Sequence, residues 1–79
     1  MSATRAIVRH VKWTLTPDRE PDAEPTTYAM RCVVCGERSE RSEDWEEPQE
    51  WALRHSGGNP SHHTYREIIT RPWRTWMQS

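Results

Sequence analysis

Hydrophobic and polar residues alternate over residues 5–16, the first patterned segment of the chain. In an extended backbone Ile7, Val11, Trp13 and Leu15 point to one side. The β-branched and aromatic content is typical of a strand. We therefore predict a first β-strand over 5–16, with the Ile-Val-Trp-Leu side buried.

The pattern further along predicts two more strands. Residues 17–25 contain three prolines and alternating acids, which exclude a helix and a sheet interior. Residues 26–34 predict a second strand, and residues 63–70 predict a last strand. The polar segment 36–44 is turn-like, with room for a short returning strand. The segment 71–79 is basic and aromatic.

Residues 45–56 have the one helical pattern in the chain. Pro48 suits a first helical turn, and the acids around it lie at the positive end of the helix dipole. Trp51 and His55 are one turn apart on one face. Gly57-Gly58 predicts the helix end. Together these elements predict a small α+β fold with a short antiparallel sheet of three to four strands.

Length and composition predict one domain over residues 1–79 whose hydrophobic core alone does not stabilise it. One third of the residues are hydrophobic, Phe is absent, and the five tryptophans are the main apolar resource. A core of this size rarely stabilises a domain without a disulfide, a metal or a partner. The net charge of −1 differs from the overall basicity of a dedicated DNA-binding domain.

No targeting or membrane-spanning segment is expected. No apolar run approaches the ~20 residues that cross a bilayer, and the first residues lack a signal-peptide core. We therefore expect a cytoplasmic protein without membrane contact. In a reducing compartment, two cysteines indicate metal or redox chemistry before a structural disulfide.

The strongest motif is the pair Cys32 and Cys35, followed directly by Gly36. Two cysteines separated by two residues can turn both thiolates toward one cation, and the glycine permits the positive φ of such a knuckle. A catalytic or regulatory thiol pair is the alternative, but a thioredoxin-like site requires the motif to open a helix in a βαβ unit. The polar residues after Gly36 do not fit that context.

Three histidines downstream complete a zinc-binding set. His55 lies at the predicted end of the helix, where capping of the helix without metal is the alternative role. His62 and His63 follow the glycines and point to opposite sides if extended, so only one of them can be the fourth ligand. Zn²⁺ prefers four N/S ligands in a tetrahedron, and two cysteines with two histidines form a closed structural site. The histidine spacing departs from that of a nucleic-acid-reading finger.

The stretch from Tyr28 to Trp73 resembles a group of small uncharacterised zinc-finger-like proteins of filamentous actinobacteria. The shared blocks stand here as MRCVVCGERS, WALRH, NPSH and YREIITRPWR. The resemblance implies zinc binding through Cys32, Cys35, His55 and the histidine of NPSH, which favours His62. It implies no activity.

Two functions from different classes remain open. The first is a non-catalytic, regulatory protein-interaction module without a small-molecule substrate, since a closed zinc site leaves no position for one. The second is weak nucleic-acid binding through the basic ends, with tail tryptophans stacking on bases. The partner-binding candidates are Arg66 of the last predicted strand and Arg71, Trp73, Arg74 and Trp76 of the tail, and the N-terminal candidates are Arg5, Arg9 and Lys12.

Overall fold

The computed structural model describes residues 8–10 and 12–77, with the side chains of 8–10 left out. The elements are β1 (Val8–His10), β2 (Trp13–Pro17), β3 (Thr27–Cys32), α1 (Glu46–Gly58), β4 (Tyr65–Thr70) and β5 (Trp73–Met77). The α+β class is as predicted. Within the described ranges the strands form two antiparallel sheets, in the orders β1-β2-β5 and β3-β4, instead of one.

The prediction of one long strand over 5–16 is wrong. β1 and β2 pair antiparallel with His10 opposite Trp13, so the chain reverses direction between them. The connection contains no Gly, Pro, Asn or Asp, and the sequence therefore carries no turn signal there. The tail contributes β5, which pairs with β2 from Trp13↔Met77 to Pro17↔Trp73.

The β3-β4 sheet matches the predicted second and last strands. β3 pairs with β4 from Thr27↔Thr70 to Cys32↔Tyr65. The turn-like segment returns along the other edge of β3 through two isolated bridges, Tyr28↔Ser42 and Arg31↔Arg38. These bridges lie where the sequence allowed a short returning strand, in the segment 36–44.

The helix is longer than predicted at its C-terminal end. It passes through both glycines, and Asn59 takes the capping position. The Asn59 side-chain amide donates to the His55 carbonyl at 3.0 Å. The first turn is capped by Asp44, whose Oδ1 accepts from the Glu46 N–H at 2.9 Å. Asn59 therefore ends the helix, and the glycines do not.

The described residues fall into two compact units. One consists of residues up to Pro25 together with the segment from Arg71 onward, and the other is Thr26–Thr70. That the whole chain acts as a single zinc-binding domain stays a prediction.

Four of the five tryptophans are exposed to a large extent. Trp13, Trp45, Trp73 and Trp76 are each between 39% and 51% exposed. The only hydrophobic side chains that are fully buried in the described ranges are those of Ala29 and Cys32. Because so little apolar surface is covered, packing alone gives the Thr26–Thr70 unit a small driving force for folding.

Within the described ranges, α1 lacks the length and apolar character that a membrane-crossing helix requires.

Candidate metal centre

The two cysteines lie on a tight turn that follows β3. Cys32 is the last residue of the strand, and its N–H donates to the Glu37 carbonyl at 2.7 Å. The Gly36 N–H donates to the Cys32 carbonyl at 2.9 Å, which closes the turn. Gly36 has φ +82°, the left-handed conformation that glycine adopts without steric cost. The glycine after the motif is therefore required by the turn, as the sequence predicts.

The first histidine is held on α1 by ring contacts. His55 stacks on Trp51, one helical turn earlier, with ring centroids 4.9 Å apart and planes 14° apart. The Tyr65 ring meets the His55 ring edge-on at 6.1 Å. These contacts restrict the imidazole orientation and direct Nε2 toward the cysteine turn.

The second histidine follows the turn after the helix. The His62 N–H donates to the Asn59 carbonyl at 2.7 Å. The His62 carbonyl accepts from the hydroxyls of Ser56 and Tyr65, both at 2.7 Å. Ser56 is on the helix and Tyr65 on β4, so both elements fix the backbone of His62.

These elements bring Cys32, Cys35, His55 and His62 together, with one ligand atom from each lying within 4.8 Å of all the others. Cys35 Sγ is 3.4 Å from His55 Nε2, and that nitrogen is 3.2 Å from His62 Nδ1. A tetrahedral zinc site with ordinary bond lengths requires about 3.5 Å between sulfur and nitrogen and about 3.3 Å between two nitrogens. The observed separations fit that geometry.

His55 Nε2 has two close polar neighbours, Cys35 Sγ and His62 Nδ1. An imidazole nitrogen has one in-plane lone pair or one N–H, directed along a single line. Here two partners lie within 3.4 Å of that one nitrogen. A cation on the line would satisfy all three atoms at once.

The surroundings of Cys32 favour the thiolate form of its side chain. Burial raises the pKa of Cys32, but hydrogen bonds from the backbone of Cys35 and Val34 and from the Cys35 side chain outweigh it, so the pKa is lowered overall. The Glu37 N–H donates to Cys35 Sγ at 3.5 Å. Thiolates are the form that binds metal.

A carboxylate lies on the outer side of the site. Glu37 Oε2 is 3.7 Å from His55 Nδ1, the ring nitrogen that faces away from the cluster. Metal-binding histidines usually have such a partner, which orients the ring and raises its basicity. Glu37 therefore stands where an outer-sphere partner of His55 is expected, at ion-pair distance.

The comparisons with known proteins give one match. The sequence matches, over residues 1–79, the family described as a domain of unknown function, DUF7848. The chain belongs to the DUF7848 family. No curated protein matches, and no solved structure matches. Membership fits a small uncharacterised protein; the assignment to an actinobacterial zinc-finger-like group stays a prediction.

In this DUF7848 protein His63 is exposed and lies outside the cluster. The closest polar contact of its ring is Thr64 Oγ1 at 3.4 Å from Nδ1. Of the two adjacent histidines, the structure therefore brings only His62 to the cysteines.

Two of the tail candidates, Arg74 and Trp76, belong to the unit formed by the residues up to Pro25 and from Arg71 onward. Arg74 binds Asp18 at 3.0 Å and Asp22 at 2.7 Å, and these carboxylates raise its pKa despite desolvation. Trp76 donates through Nε1 to Thr16 Oγ1 at 3.1 Å and lies under the Arg74 guanidinium at 5.9 Å. Both residues are engaged within their own unit.

The other partner-binding candidates are exposed. Trp73 and Arg71 are on the surface of the same unit as Arg74, and Arg66 is on β4 of the other unit. Of the N-terminal candidates, Arg5 lies outside the described residues and the side chain of Arg9 is not described.

Sequence reasoning missed the supporting residues Ser56, Tyr65 and Glu37. Their roles depend on the pairing of β3 with β4 and on the path of the cysteine turn. The Cys32↔Tyr65 pair places the tyrosine beside the first thiol. No local motif marks such a residue, because its position is defined by strand register.

Proposed function

We propose that this protein binds one Zn²⁺ through Cys32, Cys35, His55 and His62, and that the ion is structural. The observation that carries this proposal is the convergence of four ligand atoms within 4.8 Å, in a cysteine–histidine set that zinc prefers. The set is complete, so a bound ion would have no open position for water or substrate. A non-catalytic role is consistent with this.

The small core supports a structural role for the metal. With two fully buried hydrophobic side chains among the described residues, the Thr26–Thr70 unit has little apolar burial to offset the entropy of ordering. A cation held by β3, α1 and the segment between α1 and β4 would connect all three. Zinc sites of this kind supply about 10 kcal/mol or more of apparent folding free energy in isolated fingers.

We further propose that the folded unit is a protein-interaction module with a regulatory role. Several large apolar side chains are exposed instead of packed, among them Val33 and Val34 at the tip of the cysteine turn and Leu53 on α1. Such side chains can supply contact area for a protein partner. The zinc would hold the turn and the helix that present them.

Weak nucleic-acid binding through the basic ends is the alternative. It has less support, because the Arg74 charge is compensated by two aspartates and Trp76 is hydrogen-bonded within its unit. A titration with duplex and single-stranded DNA and RNA at two salt concentrations separates the two functions, since phosphate contacts weaken steeply with salt. Tight, sequence-selective binding at physiological salt would overturn the protein-interaction proposal.

The metal proposal is tested by elemental analysis of the purified chain. We expect about one zinc per chain and two free thiols that react only after chelation. A folded, metal-free protein with Cys32 and Cys35 joined in a disulfide would refute it.

A further inference from the structure

Three arginines lie side by side across the sheet of the Thr26–Thr70 unit. Arg31 on β3 is directly opposite Arg66 on β4, and across its other edge it forms a bridge with Arg38. The hydrogen bonds that flank the Arg31–Arg38 bridge join the residues on either side of it. Residues in such a pair have Cα atoms about 4.5 Å apart, and their side chains share a face. All three arginines therefore project from one face.

The arginine face is the one that points away from α1. Met30 and Tyr65 line a cleft together with helix residues, so they lie on the helix side of the sheet. Because side chains alternate along a strand, Arg31 and Arg66 lie on the opposite side. Glu67, next to Arg66 in sequence and opposite Met30 in register, belongs to the helix side. The nearest acid on the strand is thus separated from the arginines by the sheet.

None of the three arginines has an acidic side chain within ion-pair distance in the part of the chain that the structure describes. The chain has 12 acids and 11 lysines and arginines, so composition does not prevent pairing. Like charges directly opposite each other destabilise a sheet, by about 0.2–1 kcal/mol per pair. A row of three is an arrangement that a bound anion would stabilise.

A cleft of about 180 Å³ lies beside this row. It is lined by Arg31 and Arg66 and by Cys32, Val33 and Gly36 of the cysteine turn. A Cβ at Gly36 would come within 3.7 Å of Nη2 of Arg31, so the guanidinium reaches over the turn. A water molecule occupies ~30 Å³ in the liquid, and the cleft is considerably larger than that.

We propose that Arg31, Arg38 and Arg66 form a binding site for a phosphate group. Guanidinium forks match the oxygens of phosphate in bidentate pairs. Three arginines at neighbouring positions on one face of the sheet suit a group that carries about −1.5 to −2 charges at neutral pH. The phosphate could belong to a free ion or monoester, or to a nucleic-acid backbone. The three arginines are not ligands of the metal centre, and the cleft beside them is lined in part by the ligand Cys32.

The test is a calorimetric titration of the zinc-loaded full chain with inorganic phosphate at low salt. We expect saturable binding, and Arg66→Gln should weaken it about tenfold, as for the loss of one charge-assisted contact. The matched control is Arg54→Gln. Arg54 is an exposed helix arginine paired with Glu50 at 3.7 Å, and its replacement changes the net charge equally. The control should bind like the wild type.

A second titration identifies the source of the phosphate. A thymidine oligonucleotide without terminal phosphates presents only diesters. If Arg66→Gln weakens the oligonucleotide more than inorganic phosphate, the site serves a backbone; the reverse result indicates a free ion or monoester. If Arg66→Gln fails to fold, Arg38→Gln repeats the test at a residue outside β4.

Absence of saturable binding to both probes would overturn the proposal. So would an equal loss in Arg54→Gln, because that would indicate unspecific charge attraction. Zinc content measured on the same samples reports separately on the metal proposal, so failure of one is distinguishable from failure of the other.

Discussion

The hydroxyls of Ser56 and Tyr65 provide a sharp test of how His62 is positioned. Both are 2.7 Å from the His62 carbonyl, and they are 2.8 Å from each other. The two hydroxyls have one proton each for these three contacts. One hydroxyl therefore donates to the carbonyl, and the other can donate either to the carbonyl or to the first hydroxyl. Removing either hydroxyl leaves the other able to satisfy the carbonyl.

The expected result is a non-additive double-mutant cycle. Ser56→Ala and Tyr65→Phe should each cost about 1 kcal/mol or less of apparent zinc-binding free energy, the net value of one hydrogen bond. The double variant leaves a partly buried carbonyl without a donor and should cost about 3 kcal/mol, more than the sum of the singles. Tyr65→Phe keeps the ring contacts with Trp51 and His55.

The assay is zinc competition with a chromophoric chelator, with circular dichroism to verify the fold. Tyr28→Phe is the matched control, because its hydroxyl makes no hydrogen bond within the described chain. A double variant that loses no more affinity than the two singles together would show that the hydroxyls do not share the His62 carbonyl.

Three further changes test the metal site and its turn. Chelation should abolish the cooperative unfolding transition, because zinc binding supplies ~10 kcal/mol of folding free energy in isolated fingers. A sharp transition without metal would contradict this. By elemental analysis His55→Ala and His62→Ala should lose zinc while His63→Ala keeps it; loss only in His63→Ala would show that the wrong histidine faces the cysteines. In urea unfolding, Gly36→Ala should lower the free energy of unfolding by about 1–2 kcal/mol, because alanine is strained in the left-handed backbone conformation of this position. The helical control Gly57→Ala should raise the free energy of unfolding. Equal effects of the two changes would refute the turn argument.

The cysteine–histidine cluster could be predicted from sequence because its spacing is local. Cys32 and Cys35 define one end of the site, and Asn59-Pro60 requires His62 to lie beyond the helix that holds His55. The choice between adjacent histidines depends on the turn geometry after the helix. There the His62 N–H binds the Asn59 carbonyl. That choice came from the resemblance and not from the pattern.

The fold was less predictable where no turn residue marks a reversal. The hairpin between His10 and Trp13 has a connection without glycine or proline, so alternation across it looks like one strand. The strand in the tail could not be predicted, because the alternation of its arginines and tryptophans does not indicate which strand it pairs with. Trp13 was expected on the buried face of a strand because it is large and apolar, yet it is 46% exposed.

X-ray absorption at the zinc edge of the purified protein tests the central claim most directly. The account predicts a four-coordinate ion with two sulfur neighbours at about 2.3 Å and two nitrogen neighbours at about 2.0–2.1 Å. A shell of oxygen and nitrogen atoms without sulfur, or a protein that folds without binding zinc at all, would contradict it.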